Sequence, residues 1–126
     1  GTGITPAYRI LSSALEDPGD SSCFVLLYSN KRDDDILLRD ELDELARRHP
    51  RRFRLWYTVS RQSRESARRW PFSTGRVDLA MIRDHIPQGG DGECFVGLCG
   101  PPGFIDRTCL PALRHHGFDL DCIGVF

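Results

Sequence analysis

The chain contains no apolar run of membrane-spanning length and no signal-peptide pattern at its start. No membrane segment is therefore expected, and a cytoplasmic location is. Excess positive charge is also missing: 17 Lys+Arg stand against 18 Asp+Glu, a net charge of -1. A dedicated nucleic-acid surface needs uncompensated cations, so no nucleic-acid partner is expected. There is no C-x-x-C spacing, and the five cysteines are odd in number; they read as reduced thiols of a cytosolic protein rather than a disulfide frame. His85, His115 and His116 match no complete metal site and read as surface residues. No Cys/His/carboxylate cluster of the zinc kind stands out, so no metal is expected. Internal repeats and low-complexity segments are lacking, and 126 residues suffice for one domain with its own core.

What is present begins with Gly1-Thr2-Gly3-Ile4-Thr5-Pro6, a glycine-rich turn running into an apolar helical pattern. Glycines permit a tight turn and close backbone approach to a ligand. The helix behind the turn aims its free N–H groups back at it, which makes an anion cradle, most often for phosphate. Alone, this hexapeptide is equally a plain terminal turn. A second glycine turn, Cys99-Gly100-Pro101-Pro102-Gly103, again lies between a strand pattern and a helix pattern.

Between the two turns the pattern alternates. Residues 7–15 have helical spacing at Ile10, Leu11, Ala14 and Leu15, with Pro6 suited to the first turn and Asp17-Pro18-Gly19-Asp20 as the stop. Residues 23–28 form a short continuous apolar run, suited to a strand buried on both faces. A polar turn carrying Asp33, Asp34 and Asp35 precedes a helix expected over 36–48, with Leu38, Leu42 and Leu45 as its buried stripe. Residues 53–59 read as a strand running into Ser60-Arg61-Gln62-Ser63-Arg64, where α/β folds bind ligands. Residues 65–73 are basic and irregular, and no element is assigned to them. A helix N-capped by Asp78 follows, then a loop over 87–92. Residues 94–99 read as a strand, 104–115 as a helix kinked by Pro111, Gly117 as its stop, and 121–126 as a last strand.

This order implies an α/β fold, doubly wound, with a mostly parallel sheet and helices on both faces. The opening glycine turn should be fed by a strand, which in such folds is central. The fold is expected to lack that first strand, as a fragment of a longer polypeptide would. The domain reading is one unit over residues 1–126.

Five stretches carry a resemblance: Gly1-Thr2-Gly3-Ile4-Thr5-Pro6, Asp34-Asp35-Ile36-Leu37-Leu38-Arg39, Leu55-Trp56-Tyr57, Cys99-Gly100-Pro101-Pro102 and Val125-Phe126. With them the whole chain resembles the pyridine-nucleotide domain of the ferredoxin-reductase-like flavoproteins. The similar branch contains NADH–cytochrome b5 reductase and the C-terminal part of eukaryotic assimilatory nitrate reductase. Glu16-Asp17-Pro18 and the run from Asp35 to Asp43 look more like nitrate reductase.

The resemblance implies an FAD-dependent NAD(P)H oxidoreductase. A nicotinamide coenzyme passes hydride to FAD, which releases single electrons to a haem or similar acceptor; in nitrate reductase the parent chain also carries a molybdenum cofactor. The protein's part is to place the coenzyme against the flavin. The implied partners are the FAD domain of the same chain and a haem domain or cytochrome b5, with a possible homodimer of the parent protein. Gly1, Thr2 and Gly3 would carry the pyrophosphate and line the edge of the nicotinamide–flavin site, where Thr2 and Cys99 are the expected catalytic residues. Thr5, Pro6 and Asn30 are counted with the cofactor-binding residues, as are Gly100, Pro101 and Pro102. Cys99 would lie beside the nicotinamide and orient it, and Phe126 would shield or stack on the isoalloxazine. Otherwise Cys99 is a small buried residue and Phe126 a core anchor. Cys23, Cys94, Cys109 and Cys122 are assigned to packing.

Two departures from the family pattern matter. Relatives continue Cys-Gly-Pro-Pro with Pro-Met, where this chain has Gly103-Phe104. NADH-specific relatives place an acidic residue after the Trp-Tyr strand, where this chain has Ser60 followed by Arg61. A carboxylate there repels a 2′-phosphate, whereas a hydroxyl beside a guanidinium suits one. NADPH, or both NADPH and NADH, is the expected coenzyme. A non-catalytic nucleotide-binding module is the alternative class. A Rossmann dehydrogenase is disfavoured, since the opening G-x-G-x-x-G is incomplete and no acid/base pair stands out.

Overall fold

The computed structural model describes residues 3–62, 64–89 and 94–126. Gly1, Thr2 and Ser63, and Gly90, Asp91 and Gly92 of the expected loop, lie outside the described residues. The chain divides into two compact units, Gly1–Arg76 and Val77–Phe126.

In the first unit, helix α1 (Ile4–Glu16) starts three residues before the apolar spacing predicted. Thr5 and Pro6 thus stand inside its first turn, where the missing proline N–H costs no hydrogen bond. Ile4, Leu11 and Leu15 make its buried stripe. The helix stops where Asp17 turns extended (ψ 114°) ahead of Pro18, as a pre-proline residue must. The Asp17 carboxylate accepts the Gly19 N–H at 2.9 Å.

Strand β1 (Phe24–Asn30) follows. It starts after Cys23, which is exposed rather than packed, a correction to its expected role. The strand is mostly half-buried, with only Tyr28 fully covered, so the expectation of burial on both faces fails for it. Asp33–Asp35 forms a separate 3-10 turn and does not open the next helix. Helix α2 (Arg39–Arg48) begins three residues later than expected, after Leu38 in a left-handed conformation (φ 59°). The delay lets Ile36 reach the core while Leu37 stays exposed. Asp40 and Glu41 then occupy α2's first turn, and Arg47 and Arg48 its last, each complementing the helix dipole. Leu42 and Leu45 are buried as expected; Leu38 is only partly so.

Strand β2 (Phe53–Val59) has the predicted bounds and pairs in parallel with β1, Phe24 opposite Phe53 through Asn30 opposite Val59. Two elements in the basic stretch were not foreseen, the single helical turn α3 (Arg64–Ala67) and the short strand β3 (Ser73–Thr74). Strand β3 extends the parallel sheet, in the order β1-β2-β3. Thr58, fully buried, donates its hydroxyl to the Gly75 carbonyl at 2.7 Å, and Gly75 N–H donates to Val59 O at 2.8 Å. The core of this unit gathers the buried residues of α1, α2, β1 and β2 with Trp70 and Phe72 packed against them.

In the second unit, α4 (Leu79–His85) is capped by the Asp78 carboxylate, which accepts the Met81 N–H at 2.8 Å. Strands β4 (Val96–Leu98) and β5 (Ile123–Val125) pair in parallel, Gly97 opposite Gly124. They form a second sheet, so the described strands make two parallel sheets instead of one. Between them run α5 (Pro102–Phe104), a π-helical stretch (Ile105–Cys109) and α6 (Leu110–His115). The π turn, closed by Leu110 N–H to Ile105 O, is how the helix admits Pro111, which has no N–H for the regular ladder. Gly117 ends α6 at φ 100°. Its N–H bonds Arg114 O at 3.1 Å and that of Phe118 bonds Leu113 O at 3.0 Å, a Schellman stop sealed by buried Phe118 and Leu113. His116 is half-buried, not a surface residue, because its Nε2 lies 2.7 Å from Ile86 O.

Candidate functional site

The two units each end their strands on predicted site residues. In the first, the parallel β1–β2 register continues past the strands: Ser60 N–H donates to Asn30 O at 3.1 Å, and Arg61 N–H to Lys31 O at 2.7 Å. Asn30, Ser60 and Arg61 are thus brought together at the carboxyl end of the sheet. The Ser60 and Arg61 side chains are exposed, and Arg61 has no carboxylate partner among the described residues. Gln62 buries an amide nitrogen without a hydrogen-bond acceptor among the described residues, and the Asn30 side chain lies against the Tyr28 hydroxyl. An exposed hydroxyl followed by an exposed guanidinium suits an anionic, oxygen-rich ligand.

Gly3 stands before α1 with helical dihedrals (φ -65°, ψ -13°), and no side chain caps the helix. Its first turn holds no acidic residue, so the positive end of the dipole is uncompensated by the helix's own side chains. Thr5 and Pro6 are exposed there. Gly1 and Thr2 lie outside the described residues.

In the second unit, β4 delivers Cys99 to an exposed position, so it is not the buried apolar residue that was its alternative. Gly100 follows at φ 159°, where a Cβ would stand 2.9 Å from the Phe104 ring. Pro101 (φ -60°, ψ 146°) leads into Pro102, the first residue of α5. Phe126 is brought beside this turn by its N–H, which donates to Leu98 O at 2.9 Å. Its side chain is 67% exposed and anchors no core. Cys109 is buried, and burial pushes its thiol up to about 11; Cys94 and Cys122 are half-buried. Of the cysteines, Cys23 and Cys99 are the exposed ones.

One feature escaped the sequence reading. Gly97 carried a signal, since a glycine inside a strand marks close approach of another group; here that group is the Phe126 ring.

Parallel α/β units with polar residues and a glycine turn at their strand ends define the class of α/β domains that bind ligands there, nucleotides among them. The chain belongs to the oxidoreductase NAD-binding domain family, whose model matches residues 1–110. It is 46% identical over 121 residues to a nitrate reductase [NADH] of Volvox carteri, covering 96% of this chain and 14% of that protein. It is 42% identical over 126 residues to NADH-cytochrome b5 reductase 2 of Danio rerio, covering 100% of this chain and 39% of that protein. The fold matches the cytochrome b5 reductase domain of Ulva prolifera nitrate reductase with a TM-score of 0.91 and 37% identity, over 100% of this chain and 47% of that one. The chain therefore spans less than half the length of each. No helix among the described residues is long and apolar enough to cross a membrane.

Proposed function

We propose that this chain is the NAD(P)H-binding domain of a larger FAD-dependent oxidoreductase of the nitrate reductase kind, and that it takes NADPH, alone or beside NADH. The first unit would hold the adenosine and pyrophosphate: Gly1, Thr2, Gly3, Thr5 and Pro6 at the start of α1, with Asn30, Ser60 and Arg61 at the sheet end. The second would hold the nicotinamide, with Cys99 orienting it and Gly100, Pro101 and Pro102 shaping the turn. FAD, when bound, supplies the hydride-accepting and single-electron chemistry. Phe126 fits that group as an exposed aromatic ring on a strand end. Haem and molybdenum centres of the parent protein would be the electron acceptors. The similarity to a cytochrome b5 reductase over the full length of this chain supports a second reading, in which cytochrome b5 is the acceptor. A module that only binds nucleotide would have no use for an exposed Cys99 and Phe126.

The single observation that carries the coenzyme assignment is Ser60–Arg61, fixed by backbone hydrogen bonds and exposed, with no carboxylate on Arg61 among the described residues. Steady-state kinetics of the full-length flavoprotein test it. NADPH should serve at least as well as NADH. Ser60→Asp should lower kcat/KM for NADPH by roughly ten- to a hundred-fold while sparing NADH, the scale of one charge-assisted hydrogen bond turned repulsive. Strict NADH preference, unchanged in Ser60→Asp, would refute the assignment.

A further inference from the structure

The facing glycines of the second sheet form a floor that two aromatic rings occupy. Gly97 and Gly124 are register partners on β4 and β5. Side chains alternate along strands, so positions 95 and 97 of one chain segment share a face with 124 and 126 of the other. The rings cross diagonally. A Cβ built on Gly97 would stand 2.7 Å from Cε2 of Phe126, and one on Gly124 would stand 2.7 Å from Cζ of Phe95. Each ring thus lies directly on the backbone of the opposite strand, yet both phenylalanines are 67% exposed. Glycine weakens a strand relative to alanine. Two of them abreast in a ladder of three residues per strand therefore need a local use, and the one visible is bare backbone for a ring to rest on.

Phe126 is otherwise weakly held. Its backbone is fixed by the bond to Leu98 O, but no core surrounds the ring. What decides the ring's place is the floor beneath it. We propose that Gly97 is the positioning residue for Phe126, letting its ring approach β4 closely and so setting where it stands relative to the flavin. This rests on the reading above that Phe126 faces the isoalloxazine. Any side chain at 97 must displace the ring, because carbon atoms settle about 3.5–4.0 Å apart. The atom in the way is the far end of a rotatable side chain, so the ring moves while the strand pair keeps its shape.

The pseudo-symmetry provides the control. Gly124→Ala makes an equal clash under Phe95 and leaves Phe126 alone. In the full-length, FAD-loaded protein, the limiting rate of flavin reduction by NADPH, the visible circular dichroism of the bound flavin and the melting temperature would be measured together. Gly97→Ala should slow flavin reduction by about ten- to a hundred-fold, the scale of a 1 Å misplacement. It should change the flavin dichroism as Phe126→Ala does, with little change in KM or melting temperature. Gly124→Ala should leave rate and dichroism at the wild-type level, and Gly97→Ala should add nothing in a Phe126→Ala background. Phe126→Trp, which enlarges the same contact from the other side, should slow reduction likewise and serves if Gly97→Ala does not fold. Equal effects of Gly97→Ala and Gly124→Ala would overturn the proposal, showing only strand damage. So would a silent Gly97→Ala beside an effective Phe126→Ala, with the Phe126 reading intact. A silent Phe126→Ala would remove that reading, and the proposal with it.

Discussion

At the scale of single residues, two side chains organise the first unit. Arg52 donates Nε to Ser22 O at 3.1 Å, Nη1 to Leu15 O at 3.2 Å and Nη2 to Ala14 O at 3.1 Å. One guanidinium thereby satisfies carbonyls at the end of α1 and ties them to the approach to β1. Tyr57, fully buried, donates its hydroxyl to Asp43 Oδ1 at 2.7 Å, and the Arg39 guanidinium lies over the Tyr57 and Trp70 rings at 5.7 and 5.2 Å. Burial, then the bond to Asp43, raises the Tyr57 phenol well above its ordinary value. The unfolded chain ionises near pH 10 while the folded one does not, so the stability linked to this group is whole below pH 10 and falls as pH rises above it. Tyr57→Phe should cost about 1–3 kcal/mol at neutral pH and flatten that alkaline loss; urea titrations at pH 7 and 10.5 check both. The thiols offer a second test. Iodoacetamide should label Cys23 and Cys99 in the native protein and spare Cys109, and NADP+ should protect Cys99 alone, as peptide mass mapping would show. None of the Arg52 or Tyr57 contacts was legible beforehand, because each joins residues 14 to 38 positions apart that no local pattern links.

At the scale of elements, legibility followed how local the determinants are. Strand β2 was read to the residue because Phe53-Arg54-Leu55-Trp56-Tyr57-Thr58-Val59 combines β-branched and aromatic side chains between polar flanks. The Asp78 cap and the Gly117 stop were legible for the same reason, each being set by its own side chain or lack of one. The start of α2 was not, since Ile36 is drawn into the core and the acidic triplet turns on itself first. Strand β3 was missed because two residues have no periodicity; β2 and the anchored Trp70 hold it, with Trp70 Nε1 donating to Ser73 O at 2.8 Å. The Schellman stop makes an element-scale prediction. At φ 100° and with a Cβ 3.0 Å from Gly89 O, Gly117→Ala should lose about 1–3 kcal/mol. A shift of the urea midpoint smaller than that of an alanine placed at Gly103, where a Cβ meets nothing within 4 Å, would contradict it.

At the scale of the whole molecule, the α/β class and the nucleotide-binding family were legible because they rest on glycine turns spaced along the chain, and such turns are sequence features. The resolution into two sheets was not, since strand pairing is a long-range property. Of the candidate site, the positions of Ser60, Arg61, Cys99 and Gly100 just past their strands were legible from local patterns, while that of Asn30 at the end of β1 and the bed beneath Phe126 emerged only from the strand registers. The central proposal is that the coenzyme's 2′-phosphate is held at the carboxyl end of the first unit's sheet, at Ser60 and Arg61. Hydrogen–deuterium exchange of the full-length flavoprotein, with and without saturating NADP+, tests it most directly. Slowed exchange is predicted in peptides covering Ser60–Arg61 and in those covering Cys99–Gly100. Unchanged exchange at Ser60–Arg61, or slowing only at the groove lined by Tyr8, Glu16 and Asp40, would contradict it.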